Sequence, residues 1–321
     1  MFRSCSGVSA LIILALAVHW AQAQELSNQR DILWTAAPAG RTNLQIWRMG
    51  PDGSNPRRVG GEEAVVGNFA VWSPDGTQII FVSYRGGRRG IFVMAADGTD
   101  IHPVGPGGDY PEWSPDGRQV LFSADGAASP DIFVMDADGS NIRQLTSDTT
   151  FDHCGHWAPD GQSVLVSAVD GNENRLMSIE LATGTARSLL PDSIEGQCGV
   201  WSPDGTKIAF ASGPDGQLPS VQELMNMRRP VLDIWLFDLT TSEVTQLTDN
   251  GAVTNYPRWS LDGQRLVFQC SGDEATAARG GDSQPPSDDI YARLEICTMS
   301  ADGSDVRRLT NNRFFDAHPN W

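Results

Sequence analysis

The sequence predicts an all-β protein, a six-bladed β-propeller with four antiparallel strands in each blade. Three observations lead to this fold. A Trp-Ser-Pro-Asp-Gly phrase or a close variant recurs along the chain, an apolar run rich in β-branched residues follows it each time, and the two chain ends match complementary parts of one repeat. Self-similarity at a period of roughly 40 residues is typical of propeller blades.

Each repeat begins with a strand, a tight turn and a second strand. The pentapeptide occurs at Trp72–Gly76, Trp113–Gly117 and Trp201–Gly205, and variants occur at Trp157–Gly161 and Trp259–Gly263. Proline presets φ, aspartate binds the nearby backbone and glycine accepts positive φ, so Pro-Asp-Gly between two apolar runs forms a turn.

A second hairpin completes each repeat. Ile91–Met94 leads into the turn Ala96–Thr99 and then into a polar run that ends at Val104. The same phrase returns at Ile132–Leu145, Leu176–Leu189, Ile234–Leu247 and Ile296–Leu309. Two hairpins in succession give the four antiparallel strands of one blade.

The two ends of the chain predict how the ring closes. Ile32–Trp34 matches the second strand of a repeat, whereas Ala317–Trp321 matches a first strand cut off at its tryptophan. The six first strands are marked by Trp72, Trp113, Trp157, Trp201, Trp259 and Trp321. The C-terminal strand is therefore expected to complete the first blade, which removes exposed sheet edges.

The N-terminal segment has the features of a secretory signal peptide. Arg3 supplies a positive start, Leu11–Val18 is a short apolar stretch, and Ala21–Ala23 is a small-x-small cleavage site. We expect residues 1–23 to be removed near Ala23 and residues 24–321 to form the propeller, in the periplasm or secreted. The apolar run is too short to span a bilayer, so membrane insertion is not expected.

Composition and motifs argue against several classes of partner and several classes of enzyme. The formal net charge of −17 argues against nucleic acid or an anionic membrane surface as a partner, since both repel an acidic protein. The sequence contains no Gly-x-Ser-x-Gly, His-Glu-x-x-His or phosphate-binding glycine motif. We therefore favour a non-catalytic propeller that binds a protein or a cell-envelope component. A closed ring has no free edge to pair, so a monomer is expected.

The repeat resembles that of the TolB-like, or WD40-like, propeller family. The resemblance rests on the pentapeptides quoted above and covers essentially the whole chain after the signal segment. It implies a six-bladed propeller in the cell envelope. It leaves the function open, because similar blades occur in peptidases, lyases and pure binding proteins. We expect no counterpart of the α/β domain that precedes the propeller in TolB.

Irregular connections are concentrated on one face of the predicted propeller. The turns within each hairpin share one face and are tight, whereas the connections between strands two and three, and between blades, share the other. Insertions 213–231 and 271–289 both fall on this second face, in blades five and six. Long irregular segments in a compact domain are often functional. In the first, the candidate partner-binding residues are Leu224, Met225, Met227, Arg228 and Arg229. The alternative is that this segment only packs onto the rim.

The same face is the expected mouth of the central channel, which is entered by residues three and four positions before each tryptophan. The candidate ligand-binding residues there are Asn68, Asp109, Tyr110, His153, Gln197, Asn255, Tyr256 and His318. His153, His156 and His318 are candidate ligands for a divalent metal or candidate bases. They motivate an alternative function, a metal-assisted polysaccharide lyase or hydrolase. The opposing interpretation, which needs no cofactor, is a wet channel lined with polar residues.

Four cysteines remain after the signal segment, an even number that indicates disulfides in an exported protein. Cys154 and Cys198 hold equivalent places in adjacent blades. Cys270 and Cys297 flank the base of the second insertion, on neighbouring strands. We expect these two bonds, with free buried thiols as the alternative.

Overall fold

The computed structural model describes residues 30–38, 44–60, 65–147, 150–171, 173–219, 231–249, 251, 253–271, 294–312 and 314–321. These residues form six four-stranded antiparallel sheets, which confirms the predicted six-bladed propeller. Within this part of the chain the only helical piece is a 3-10 turn at Arg85–Gly87. None of the described residues belongs to a helix with the length and apolar character needed to cross a bilayer.

The blades follow one another along the chain. Blades 1 and 2 contain β1 (Ile32–Pro38), β2 (Gln45–Met49), β3 (Arg57–Arg58), β4 (Asn68–Trp72), β5 (Gln78–Ser83), β6 (Gly90–Ala95) and β7 (His102–Gly105). Blades 3 and 4 contain β8 (Asp109–Trp113), β9 (Gln119–Asp125), β10 (Pro130–Asp136), β11 (Arg143–Gln144), β12 (Phe151–Trp157), β13 (Ser163–Asp170), β14 (Glu173–Glu180) and β15 (Ala186–Ser188). Blades 5 and 6 contain β16 (Gln197–Trp201), β17 (Lys207–Ser212), β18 (Asp233–Asp238), β19 (Glu243–Gln246), β20 (Thr254–Trp259), β21 (Arg265–Ser271), β22 (Leu294–Ser300) and β23 (Arg307–Arg308), and the chain ends in β24 (Phe314–Asn320).

The last strand closes the ring as the sequence predicts. β24 pairs antiparallel with β1, with Ala317 opposite Thr35 and Asn320 opposite Leu33, so the first blade has the order β24-β1-β2-β3. The inner strands contact one another in the ring order β24, β4, β8, β12, β16, β20 and back to β24. Every first strand therefore has a first strand on each side of it, and the six of them surround the central channel.

The pentapeptide forms its turn through its own side chains. Ser73 Oγ donates to Asp75 Oδ1 at 2.6 Å, and the same oxygen atom accepts the backbone N–H of Thr77 at 3.0 Å. The backbone N–H of Gln78 donates to Ser73 Oγ at 2.9 Å, and Gly76 has φ of +73°. Serine, aspartate and glycine thus each stabilise the turn, which lies on the face opposite the insertions.

Apolar clusters fill the spaces between neighbouring blades. Four of the six second strands each bury one phenylalanine completely at equivalent places, namely Phe81, Phe122, Phe210 and Phe268. The repeated tryptophan joins a blade to the one before it: Trp157 Nε1 donates to the Glu112 carbonyl and Trp259 Nε1 to the Val200 carbonyl, both at 3.3 Å. This packing fixes the first strands around the channel and so positions the residues of the mouth.

Candidate functional site

The residue three positions before each tryptophan has the same unusual backbone conformation in all six blades. These residues, with φ between 50° and 53°, are Phe69, Tyr110, Cys154, Cys198, Tyr256 and His318. Left-handed φ is uncommon outside glycine. A register shift lies at each of these points, for example between Asn68 and Val71. The resulting bulge re-aims the side chain, as β-bulges generally do, and here the side chains meet across the channel.

Four of these side chains form a closed circuit of rings, which we call the aromatic plug (Phe69, Tyr110, Tyr256 and His318). Ring centroids lie 4.2 Å apart for Phe69 and His318, 4.3 Å for Phe69 and Tyr110, and 4.7 Å for Tyr256 and His318. The circuit closes where the Tyr110 and Tyr256 hydroxyls hydrogen-bond at 3.1 Å. Aromatic contacts at these distances are favourable beyond the area they bury.

Both disulfides expected from the sequence are present. Cys154 and Cys198, with Cα atoms 5.1 Å apart, occupy the equivalent positions, three residues before the tryptophan, in the two blades that contribute no ring to the plug. Their bond joins blades 4 and 5. Cys270 and Cys297, with Cα atoms 5.9 Å apart, join β21 to β22 within blade 6. The first bond therefore completes the ring of six residues that fills the channel at this level.

Among the described residues, a small cavity lies in the channel beside the plug. A cavity of about 20 Å³ is lined by the plug rings together with Val71, Arg258 and Asn320, each one position before a tryptophan. That volume holds about one water molecule. The rings of the plug therefore occupy the channel at the level of these residues.

A charged group lies one layer below the plug. Arg258 contacts Glu112 Oε2 at 3.4 Å, and His156 Nε2 lies 3.5 Å from Glu112 Oε1. Burial and the Arg258 charge lower the pKa of His156 to about 3, so this imidazole is neutral at neutral pH. Burial raises the pKa of Glu112, and the Arg258 charge opposes that shift.

Several of the predicted mouth residues hold the plug in place. Asn68 Oδ1 lies 2.9 Å from His318 Nδ1 and also accepts the backbone N–H of Phe69 at 2.9 Å. Asn255 Oδ1 accepts the backbone N–H of Tyr256 at 2.7 Å. Burial, with a smaller effect of Arg258, lowers the pKa of His318 to about 3. The side-chain oxygen of each asparagine thus accepts a hydrogen bond from the backbone N–H of the next residue, which has the left-handed φ.

Two other predicted residues, Asp109 and His153, line a separate and larger space. This is the blade 3–4 cavity, about 280 Å³ in volume, on the face that carries the insertions. Asp109 pairs there with Arg89. Burial lowers the pKa of His153 to about 4. Gln197, the last predicted mouth residue, lies opposite Ala211 in blade 5.

The three histidines considered as metal ligands occupy three different surroundings. His153 lines the blade 3–4 cavity, His156 lies beside Glu112, and His318 belongs to the plug. Among the described residues, His153 with Cys154 and Cys198 is the one group of potential ligands close enough to share an ion, and these two cysteines form a disulfide. A metal held by the histidines remains a prediction from the sequence.

The insertions are described only at their ends. The predicted partner-binding residues Leu224, Met225, Met227, Arg228 and Arg229, and nearly all of 271–289, lie outside the described residues. At the start of the first insertion Leu218 is 7% exposed and packs with Leu232 and Val253. Its backbone N–H donates to Glu195 Oε2 at 2.7 Å. The residue at the start of the first insertion is therefore held against the propeller by packing and by a hydrogen bond.

Sequence reasoning missed a buried acid–threonine contact that recurs in three blades. Thr146, Thr248 and Thr310 donate through Oγ1 to the acids that begin the third strands, namely Asp131, Asp233 and Glu295, at 3.2, 2.8 and 2.6 Å. The signal was available as an acid-isoleucine pair followed by a Leu-Thr pair in each of these repeats. The contact ties strand three to the end of strand four on the insertion face.

In blade 6 the recurring acid meets a second one from the closing strand. Asp316 accepts from Trp34 Nε1 at 3.1 Å and from Asn312 Nδ2 at 2.8 Å, and it shares a hydrogen bond with Glu295. Burial first, and then the nearby Asp316, raise the pKa of Glu295 to about 7. Burial also raises the pKa of Asp316. The two acids that lie where β22 meets β24 therefore both bind a proton more readily than free carboxyl groups do.

Comparison with known proteins finds a matching family model and solved structures with a similar architecture. Residues 109–229 match the family model described as the TolB beta propeller domain. The structure superposes on TolB from Acinetobacter baumannii with a TM-score of 0.71 and 20% identity, covering 94% of this chain and 70% of that one. The chain is similar in fold to the TolB β-propeller.

Two further solved structures share the fold of this TolB-like propeller. A TolB from Agrobacterium tumefaciens matches with a TM-score of 0.60 and 19% identity, over 88% of this chain and 90% of that one. A puromycin-hydrolyzing peptidase from Mycobacterium tuberculosis matches with a TM-score of 0.52 and 15% identity, over 87% of this chain and 44% of that one. The search of curated proteins returned no match. At these identities the structural likeness establishes the fold of the TolB-like propeller alone.

Proposed function

We propose that this protein is an exported, non-catalytic propeller that binds a protein or cell-envelope component through the face carrying insertions 213–231 and 271–289. The observation that carries the proposal is the asymmetry between the two faces. The described turns of the opposite face are short, whereas the insertion face carries the plug floor, the blade 3–4 cavity and the two longest connections. Binding residues concentrate on irregular connections held by a rigid scaffold.

Three features support export, the class of partner and a monomeric state. Two disulfides suit an oxidising compartment, in line with the signal segment expected at residues 1–23. The net charge of −17 disfavours nucleic acid as the partner. The pairing of β24 with β1 closes the ring, so β1 is not left as a free edge strand that could recruit another chain.

Site-specific photo-crosslinking tests the proposal. A photoreactive phenylalanine analogue replaces Tyr84, which is 72% exposed on the insertion face, or Leu261, which is 41% exposed in a turn of the opposite face. Cross-linking is carried out in intact cells. We expect a defined adduct from position 84 and none from position 261. Adducts from position 261 alone would refute the assignment of the face.

A loop replacement provides a second measurement. Residues 220–230 are replaced by a short Gly-Ser linker, so that Leu218 and its contacts with Leu232 and Val253 are kept. The variant is expected to fold as the parent does and to lose the adduct formed from position 84. An adduct that survives this replacement and the corresponding replacement of residues 272–292 would contradict a role for the insertions.

A further inference from the structure

The loop between the second and third strands of blade 2 is strongly basic in a strongly acidic protein. The chain has a formal net charge of −17, yet residues 77–96 contain no aspartate or glutamate and carry Arg85, Arg88 and Arg89. We call residues 84–89 the basic loop. It connects β5 to β6 and therefore lies on the insertion face. Like charges collected on one loop attract an anion to it.

Both ends of the basic loop are held to the propeller. Ser83, at the end of β5, is buried and donates through Oγ to the Val66 carbonyl at 2.6 Å. At the other end Arg89 pairs with Asp109 of blade 3. A loop that is fixed at its ends loses less conformational freedom on binding than a free segment does.

Two arginines of the loop have no opposite charge beside them in the part of the chain that the structure describes. Arg85 and Arg88 are exposed, and neither makes a hydrogen bond or an ion pair with a described residue. Arg85 begins the 3-10 turn and Arg88 directly follows its end. Positions three apart in such a turn share one side, so the two positive charges are neighbours. An anion that binds both of them relieves their repulsion.

The surface beside these arginines is open and partly apolar. Tyr84 is 72% exposed, and Val66, which the Ser83 hydrogen bond holds next to the loop, is 41% exposed. Gly87 lies between the two arginines with φ of +78°, and a Cβ atom added there would have no described heavy atom within 4 Å. A ligand can therefore reach the backbone between the arginines as well as the two apolar side chains.

These features favour a short acidic peptide segment over an extended anionic surface. Guanidinium groups bind carboxylates through two parallel hydrogen bonds. Charges are largely screened beyond about 8 Å at physiological ionic strength, so a segment of a few residues contacts the basic loop without approaching the rest of the acidic protein. A membrane or a long polyanion would approach the acidic surroundings too and would be repelled. The exposed tyrosine and valine side chains suit an apolar residue of the segment.

We propose that the basic loop binds an acidic peptide segment of the protein partner, with Arg85 and Arg88 paired to its carboxylates and Tyr84 and Val66 against an apolar residue beside them. The proposal rests on the proposed function, because the bound component is taken to be a protein. It adds the chemistry by which that partner is recognised.

Calorimetric titration of the whole protein with short peptides tests the proposal. The acidic probe is acetyl-Gly-Leu-Asp-Glu-Asp-Leu-Gly-amide, and its matched control carries asparagine and glutamine in place of the acids. Tri-galacturonate and inorganic phosphate present negative charge without a peptide. We expect the acidic peptide to bind, more weakly as the salt concentration is raised, and the other three probes to fail.

Matched variants separate the loop from general electrostatics. Arg85→Gln with Arg88→Gln is expected to weaken binding roughly tenfold, because two exposed ion pairs are lost. Arg143→Gln with Arg187→Gln makes the same change in net charge at exposed positions of outer strands and is expected to leave binding unchanged. Arg85→Glu with Arg88→Glu should instead bind a peptide that carries lysine in place of the acids, a gain that misfolding does not produce.

Four results would overturn the inference. They are no heat from the acidic peptide, equal weakening by the two glutamine double variants, binding of phosphate or tri-galacturonate without the peptide, and binding that appears only in Glu62→Gln with Glu63→Gln. The last result would show that the chain's own acids, which lie outside the described residues, occupy the arginines. Failure of the proposed function is distinguishable, because the adduct from position 84 reports on the partner and the peptides report on the basic loop alone. An adduct without peptide binding would keep the face and remove the acidic segment.

Discussion

The His318 imidazole lies 4.2 Å from the Phe69 ring, centroid to centroid, so the C-terminal strand contributes directly to the plug in the channel mouth. Burial holds the pKa of His318 at about 3, compared with roughly 6.5 for an exposed histidine. The folded state therefore resists protonation there. The stability that His318 contributes is complete above about pH 6.5 and is lost as the pH falls towards 3.

Replacing His318 with phenylalanine should reduce acid sensitivity. The variant keeps an aromatic ring against Phe69 but has no group that can be protonated. Asn68 Oδ1 still accepts the hydrogen bond from the backbone N–H of Phe69. Between pH 7 and pH 4 we expect it to lose roughly 2–3 kcal/mol less unfolding free energy than the parent. Urea denaturation at several pH values measures this. His102→Phe, at an exposed site, is the control, and identical pH profiles for His318→Phe and the parent would show the prediction to be wrong.

The buried acids Glu295 and Asp316 predict a pH dependence of the opposite sign. The folded pKa of Glu295 is raised to about 7, above its unfolded value of about 4.3. The folded state therefore keeps a proton that the unfolded state releases, and stability falls as the pH rises from about 4.3 to 7. Glu295→Gln fixes the uncharged form and should be more stable than the parent at pH 8, by about 2 kcal/mol.

Thermal unfolding of the Glu295→Gln variant between pH 4.5 and 8 measures the effect. Its difference from the parent should grow through the window in which Glu295 ionises and then level off above pH 7. Glu243→Gln, an exposed site on β19, makes the same chemical change and should leave the difference near zero. A constant difference across the pH range would contradict a proton shared between β22 and β24.

The pentapeptide turn predicts a stabilising substitution. Blade 4 has Ala158 where other blades have serine, and the Oγ atoms of Ser73 and Ser114 each bond an aspartate and a backbone N–H. Ala158→Ser should add the equivalent bonds to Asp160 and to the backbone of Ser163, and raise the free energy of unfolding by about 1 kcal/mol.

Chemical denaturation compares this variant with its counterparts. Ser114→Ala should destabilise by a similar amount, since it removes the same contacts from blade 3. Ala128→Ser, at an exposed site, controls for the added hydroxyl group. The turn mechanism would be refuted if Ala158→Ser proved neutral while Ser114→Ala was costly.

The fold was predictable because its signals are local. Turn chemistry repeats with each tryptophan, and the role of β24 follows from comparing Ile32–Trp34 with Ala317–Trp321 in one register. Neither inference needs knowledge of distant contacts. The two disulfides were predictable for a related reason, since Cys154 and Cys198 occupy equivalent positions of adjacent repeats.

The site was predicted only in part, because its geometry depends on backbone conformation. Phenylalanine, tyrosine, cysteine and histidine give no warning of a left-handed φ, yet all four types adopt it before the tryptophan. The resulting plug places aromatic rings beside the polar residues that the sequence predicted for the channel mouth. The contact of Glu295 with Asp316 escaped notice because it joins different blades, and the Glu112–Arg258 pair escaped notice because it spans the channel.

The disulfide between Cys154 and Cys198 gives a final prediction, since it occupies plug positions and joins two blades. Replacing both residues with serine should lower the free energy of unfolding by about 4 kcal/mol, the value expected for a closed loop of this length. It should also alter the near-ultraviolet circular dichroism of Tyr110 and Tyr256, because the bond completes the ring in which they lie. Cys270→Ser with Cys297→Ser is the matched control: it should lower stability by a similar amount, as expected for its loop, but leave the tyrosine signal unchanged, because that bond lies within blade 6. Equal spectral changes in both double variants would mean that the first bond has no special connection to the plug.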